Sequence, residues 1–188
     1  MNGNRSDLLN KASAIRLAVF DVDGVMTNGQ ISYASDGTEI KHFHSHDGLG
    51  LKALMANGIA VAVITARDST IVERRMGELG IEQVLQGRRD KSAALDEVID
   101  TLGLRCDQIA YAGDDLVDWP AMGRVHLKLA PANAHPIIRA RADYVCRQAG
   151  GDGAVREMCE LILEGHGRLS DWLGSFGPDA HDNQEPGA

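Results

Sequence analysis

Short, continuous apolar runs alternate with helical patterns along this chain, and that rhythm constrains its fold more than any other feature. Arg16–Asp21, Ala60–Thr65, Glu82–Leu85, Gln108–Ala112, His126–Leu129 and Tyr144–Val145 read as strands. Their apolar runs are mostly continuous rather than alternating, which suits a parallel sheet covered on both faces. Between them, Asp47–Asn57, Ser69–Leu79, Lys91–Leu102, Asn133–Ala142 and Ala154–Glu164 carry helical patterns. The first three stop at Gly58, Gly80 and Gly103, and the last near Gly165. Glycine readily takes the left-handed turn that ends a helix. The regular alternation predicts an α/β, Rossmann-like doubly wound parallel sheet.

At 188 residues, one domain with a substantial core is expected, spanning residues 15–168. Residues 1–14 read as an N-terminal segment without an apolar signal core. Residues 169–188 are rich in Gly, Asp, Pro and His and read as a mobile C-terminal tail. One segment breaks the rhythm: Gln30–Ser35 and Thr38–His44 alternate polar and apolar residues around Asp36-Gly37. Asp-Gly between such runs signals a β-hairpin. An inserted hairpin over residues 30–44 is therefore expected, acting as a flap or as an edge that pairs with another subunit.

A net charge of −8 argues against non-specific nucleic-acid binding. No apolar stretch approaches the roughly 20 residues needed to span a bilayer, so no membrane partner is expected. Three cysteines without metal-like spacing read as reduced thiols of a cytoplasmic protein.

The chemistry-bearing residues stand at the ends of the predicted strands. The first strand runs into Asp21-Val22-Asp23-Gly24, the second closes on Thr65, and the fourth runs into Gly113-Asp114-Asp115-x-x-Asp118. Lys91 opens a helix after the Gln86–Asp90 loop. In a doubly wound sheet such ends converge on one crevice. A turn, a calcium-loop fragment or a helix cap would account for each element singly, but not for four of them in this order.

Phosphoryl transfer needs these groups. Asp21 suits a nucleophile that forms an aspartyl phosphate. Asp23 suits the general acid/base for the leaving alcohol and the incoming water, a role worth about 10²–10⁴-fold. Mg²⁺ takes hard oxygen ligands, so Asp21 and Asp114 are candidates, with Asp115 through water. Thr65 offers a hydroxyl to one phosphoryl oxygen, and Lys91 an ammonium to another while holding Asp21. A signalling receiver domain uses similar groups, but places its phosphoacceptor after the acidic pair. A non-catalytic module does not need the full acid set.

Asp21-Val22-Asp23-Gly24-Val25, Thr65, Lys91 and the Gly113–Asp118 cluster together resemble the four motifs of the haloacid dehalogenase superfamily. Asp23 at the second acid position implies a phosphomonoesterase. Only a hairpin and a helix fit between Asp21 and Thr65, which resembles the branch with no cap domain. The stretches Asp21–Gly29, Thr65-Ala66-Arg67, Gln86-Gly87, Tyr111–Pro120 and Gly150–Glu157 are similar to the 3-deoxy-D-manno-octulosonate 8-phosphate phosphatase family.

That resemblance implies a Mg²⁺-dependent homotetramer of the lipopolysaccharide pathway whose hairpins pair between subunits. It implies metal residues Asp21, Asp23, Asp114 and Asp115, with Asp118 supporting them. It also implies a sugar acid phosphate held by Asp23, His44, Ser45, His46, Asp47, Gly48, Lys52, Ala66, Arg67, Arg75 and Lys91. Arg67 suits a bidentate grip on the sugar carboxylate.

Three departures leave the sugar open. His44-Ser45-His46-Asp47-Gly48 stands where Asn-x-Arg-Asp-Gly is usual, Lys52 where Arg is common, and Ala66 where Gly is usual. A related nine-carbon sugar acid 9-phosphate, or a broader set of sugar phosphates, is the alternative. His42, His44 and His46 would share one face of a strand and could offer zinc three ligands, although the segment offers no evident fourth.

Overall fold

The computed structural model describes residues 5–177. The six expected strands form one parallel sheet: β1 Leu17–Phe20, β4 Ala60–Ile64, β5 Gln83–Leu85, β6 Ile109–Ala112, β7 Leu127–Ala130 and β8 Tyr144–Val145. Their spatial order is β5-β4-β1-β6-β7-β8. β1 pairs with β4 through Leu17↔Ala60 and with β6 through Leu17↔Ile109. The chain therefore winds outward from β1 to β4 and β5, then returns to β6 on the other side. The reversal opens a crevice beyond the carboxyl end of β1.

All four β1 residues are buried. Ala18 and Phe20 face a core shared with Leu51, Leu54, Met76, Met158 and Ile162. Leu17 and Val19 face a second core with Leu95, Val98, Met122 and Ile138. The first core is capped by α2 Ser45–Ala56, α3 Thr70–Leu79 and α7 Ala154–Gly165. The second lies under α4 Lys91–Leu102, α5 Trp119–Met122 and α6 Pro136–Arg141. With helices on both faces, the unbroken apolar strands are accounted for.

Within the N-terminal segment, Arg5–Ser13 forms helix α1. Only Ala12 is fully buried there, with Leu8 and Leu9 packed at the core edge, so the stretch reads as polar. Its seat on α7 is close: a Cβ on Gly165 would stand 2.5 Å from that of Ala12. The tail expected from 169 begins instead as helix α8 Leu169–Gly174. Leu169 and Trp172 pack on the first core, and the Arg156 guanidinium lies 4.4 Å from the Trp172 ring centre. The remainder of the expected tail, residues 178–188, lies outside the described residues.

The hairpin forms, but as two-residue strands, β2 Ser32–Tyr33 and β3 Glu39–Ile40, in register Tyr33↔Glu39. Asp36 accepts the Thr38 N–H at 2.9 Å and Gly37 takes the left-handed conformation at φ +87°, as an Asp-Gly turn requires. Pairing stops at Ile40 because Lys41 turns into the site and His44 becomes the N-cap of α2. His42, His44 and His46 therefore share no strand face, and the zinc geometry does not arise.

Candidate active site

The site is built around one buried lysine. Lys91, the first residue of α4, is placed by the Asp90 cap, whose carboxylate accepts the Ala93 N–H at 3.0 Å. Its ammonium lies 2.9 Å from Asp21 Oδ1 and 2.6 Å from Asp118 Oδ1. An ammonium buried this fully needs such partners. Burial alone would lower its pKa; Asp21 and Asp118 outweigh that and hold it above its usual value.

Asp21 follows β1, and its N–H donates to Ala112 O at 3.0 Å. That bond fixes its position beside the loop after β6. Burial, and then the Asp118 charge, push its carboxyl up to about 6 although Lys91 pulls the other way. Asp114 is pushed up to about 7 by burial and by Asp118 and Asp21.

Carboxylate oxygens of Asp21, Asp114 and Asp118 lie within 4.8 Å of one another, the one such cluster among the described residues. Asp118 is fully committed within the fold. Its Oδ1 accepts from Lys91 and from the Tyr111 hydroxyl, and its Oδ2 from the N–H groups of Asp114 and Asp115. It is the anchor of the loop rather than a free ligand. Asp114 Oδ1, by contrast, is buried with no hydrogen-bond partner. An orphaned carboxylate oxygen beside a second carboxylate of raised pKa fits a divalent cation held by Asp21 and Asp114.

The turn after β1 is shaped for the same approach. Gly24 takes φ +102°, and a Cβ there would lie 2.1 Å from Asp114 Oδ2. Gly150 in turn packs on Gly24 so closely that its own Cβ would stand 1.8 Å from the Gly24 carbonyl oxygen. Two glycines thus let the loops at residues 24 and 150 close behind the acids.

Raised carboxyl pKa values carry a sign. Asp21 and Asp114 bind protons more tightly folded than unfolded, where 3.8 applies. Between about pH 4 and pH 7 they therefore cost increasing stability as pH rises, and the full penalty stands above their folded values. Mg²⁺ should remove that penalty by neutralising the two buried charges, and in acid it must compete with their protons. The melting temperature is expected to rise with Mg²⁺ at about pH 8 and to respond little at about pH 5. An equal rise at both would show the cation binding elsewhere.

Other expected residues fall differently. Thr65 is buried, and its Oγ1 accepts the Arg67 N–H at 3.4 Å, which leaves its O–H free to donate. Asp23 is not in the acidic cluster. Its carboxylate pairs with Lys41 and stands 3.8 Å from Arg67 Nε. Asp115 is exposed and accepts the Leu116 N–H at 2.8 Å, also apart from the cluster.

Arg67 is engaged by the hairpin: it donates to the Tyr33 hydroxyl at 2.9 Å and to Glu39 at 3.1 Å. Arg75 lies against Gly48 and pairs with Glu78 at 3.4 Å. His44 Nδ1 accepts the His46 N–H, and both rings line a cleft of about 330 Å³ with Arg147, Gln148 and Arg156. Asp47 is buried, raised in pKa by burial, and accepts the Arg156 N–H at 2.8 Å. It caps α7, whose own N-cap, Gly153, has no side chain to do so. Ser45, Lys52 and Ala66 are exposed.

Sequence reasoning missed Glu39, Lys41 and Tyr111 as members of this network. Glu39 and Lys41 are two apart in a strand-like stretch and so share a face, which was the available signal.

Residues 81–158 match the haloacid dehalogenase-like hydrolases. The Escherichia coli K12 3-deoxy-D-manno-octulosonate 8-phosphate phosphatase is 44% identical over 169 residues, 90% of each chain. The crystal structure of that phosphatase from Moraxella catarrhalis, in complex with magnesium ion, phosphate ion and KDO, matches with TM-score 0.90 and 42% identity, covering 93% of this chain and 100% of that one. The cobalt-bound Haemophilus influenzae phosphatase matches with TM-score 0.82 and 41% identity, over 85% and 94%. A parallel sheet with its acids at the β1 and β6 ends, a short hairpin and, among the described residues, no cap domain, joined to relatives of this similarity and coverage, place the chain in the 3-deoxy-D-manno-octulosonate 8-phosphate phosphatase family of the haloacid dehalogenase-like hydrolases.

Proposed function

We propose that the protein is a Mg²⁺-dependent phosphomonoesterase that hydrolyses 3-deoxy-D-manno-octulosonate 8-phosphate to the free sugar acid and phosphate, in lipopolysaccharide precursor synthesis. The observation that carries this is the buried Asp21–Lys91–Asp118 set beside the unpaired Asp114 oxygen, in a chain closely related to such phosphatases. The metal, when bound, supplies charge neutralisation between the acids and the phosphoryl group.

Lys91 holds one Asp21 oxygen, which leaves the other to attack phosphorus. As the Asp21 O–P bond forms, the P–O bond to the sugar breaks and Asp23 gives its proton to the departing oxygen. Asp23 then takes a proton from water, whose oxygen attacks phosphorus and releases phosphate from Asp21. Thr65 and Lys91 donate to phosphoryl oxygens throughout. Among the remaining family positions, Arg67 serves the substrate carboxylate, with His44, Ser45, His46, Asp47, Gly48, Lys52, Ala66 and Arg75 lining its approach.

The exposed apolar residues Ile31, Tyr33 and Ile40 of the hairpin support its pairing with other copies in a homotetramer. None of the described helices is long and apolar enough to cross a membrane, in keeping with a cytoplasmic enzyme. Phosphate release from the eight-carbon 8-phosphate and from a nine-carbon sugar acid 9-phosphate, with and without Mg²⁺, tests the reading. A kcat/KM at least about tenfold higher for the former is expected. A reversed ratio would transfer the activity to the longer sugar.

A further inference from the structure

Asp23 and three side chains around it form a closed ring of alternating charge. Lys41 pairs with Asp23 and lies 3.6 Å from Glu39; Arg67 lies 3.1 Å from Glu39 and 3.8 Å from Asp23. Two polar groups brace it: the Ser69 hydroxyl donates to Glu39 at 2.6 Å, and Arg67 donates to the Tyr33 hydroxyl. The Ser69 bond, then the guanidinium of Arg67, hold the Glu39 carboxyl below its usual range, so Glu39 stays ionised.

Three of these residues, Tyr33, Glu39 and Lys41, come from the inserted hairpin. The hairpin exposes its apolar side chains to solvent yet buries Lys41 to 3% exposure. An ammonium costs several kcal/mol to bury without partners, so its placement is set by the two carboxylates it meets. The ring gives each acid two cationic neighbours and thereby fixes where the Asp23 carboxylate points.

We infer that Lys41 is a positioning residue for Asp23, with Glu39 holding Lys41 and Arg67 on either side of it, so that the hairpin orients the acid/base of the reaction instead of only covering the site. This rests on the phosphatase reading above. Lys41 touches neither the cluster of Asp21, Asp114 and Asp118 nor, at its burial, the substrate; its effect reaches the reaction through Asp23. Without it, Asp23 swings toward Arg67, and the proton it handles leaves the line between sugar oxygen and water. Proton transfer depends steeply on that alignment.

The test is a double-mutant cycle on the purified full chain with Mg²⁺. Lys41→Met is expected to lower kcat by about 10–100-fold while KM stays within about twofold, and Lys41→Arg to recover most of the loss. In an Asp23→Asn background, adding Lys41→Met should change kcat less than about twofold, because the group it orients is already gone. Lys41→Gln carries the same cycle if thermal melting shows the Met variant unfolded.

A wild-type kcat in Lys41→Met, or a loss that multiplies with that of Asp23→Asn, overturns the assignment; the latter is what a purely structural role of the hairpin predicts. If the wild type cleaves an aryl phosphate but not the octulosonate ester, only the substrate reading fails, and the cycle is read on the aryl compound. A wild type inactive on both overturns the catalytic reading and this assignment with it.

Discussion

Asp21→Asn is expected to abolish phosphate release, with kcat down by about 10⁴-fold or more, while the fold survives or gains stability. The two outcomes have one cause. The amide matches the carboxylate in size, so packing at the end of β1 is unchanged. It cannot attack phosphorus as an anion, so the first bond never forms. It also removes one of three carboxylates crowded within 4.8 Å, whose mutual repulsion, after burial, raises the Asp114 pKa. Without Mg²⁺ near neutral pH, the variant should therefore melt no lower than the wild type. Phosphate release and thermal melting measure both halves. Turnover near the wild-type rate would remove Asp21 as nucleophile, and a large drop in melting temperature would show that its charge is needed for folding.

Lys91→Met is expected to lose both activity and stability. The methionine chain fills much of the same space, so the change isolates the charge. What remains is a pair of carboxylates, Asp21 and Asp118, buried with no cation between them. Removing one partner from a buried ionic set costs about 3–5 kcal/mol. For a chain of this size that corresponds to a melting-temperature drop of roughly 10 °C. The deficit should shrink in acid, where the stranded carboxyls protonate, and Lys91→Met with Asp118→Asn should recover part of the stability but none of the turnover. A stable, inactive Lys91→Met would mean that the lysine serves only the phosphoryl group. A stable, active one would remove it from the site.

The frame of the fold was legible because it rests on local patterns. The three central strands, β4, β1 and β6, announce themselves as apolar runs, and the glycines at Gly80 and Gly103 end α3 and α4 in the left-handed conformation. The order of Asp21, Thr65, Lys91 and Asp114 was legible too, since a doubly wound sheet brings strand ends together whatever the loops between them do.

Long-range contacts were hidden. α1 has only three residues directed at the core, so nothing in its own pattern marks it as packed. α8 depends on Trp172 meeting Arg156, a pairing between residues of two helices. The family resemblance pointed to Asp47, but nothing local showed that its carboxylate also reaches across to the backbone of Arg156. Arg67 stands two residues past Thr65, and nothing nearby in sequence showed that the hairpin also supplies it with Glu39 and Tyr33. Asp23 stood out at the end of β1, but its cation partner, Lys41, lies in a segment whose strands are too short to make their register obvious.

The central place of β1 has a consequence for how the protein is made. Leu17–Phe20 leaves the ribosome early, but its first neighbour in the sheet, Ala60–Ile64, is synthesised later, and its second, Ile109–Ala112, later still. Until then an entirely apolar strand waits with both hydrogen-bonding edges open, a natural target for chaperones that bind extended hydrophobic segments. Premature termination before Ala112 would leave that strand half paired, and such fragments should aggregate rather than persist as smaller folded units.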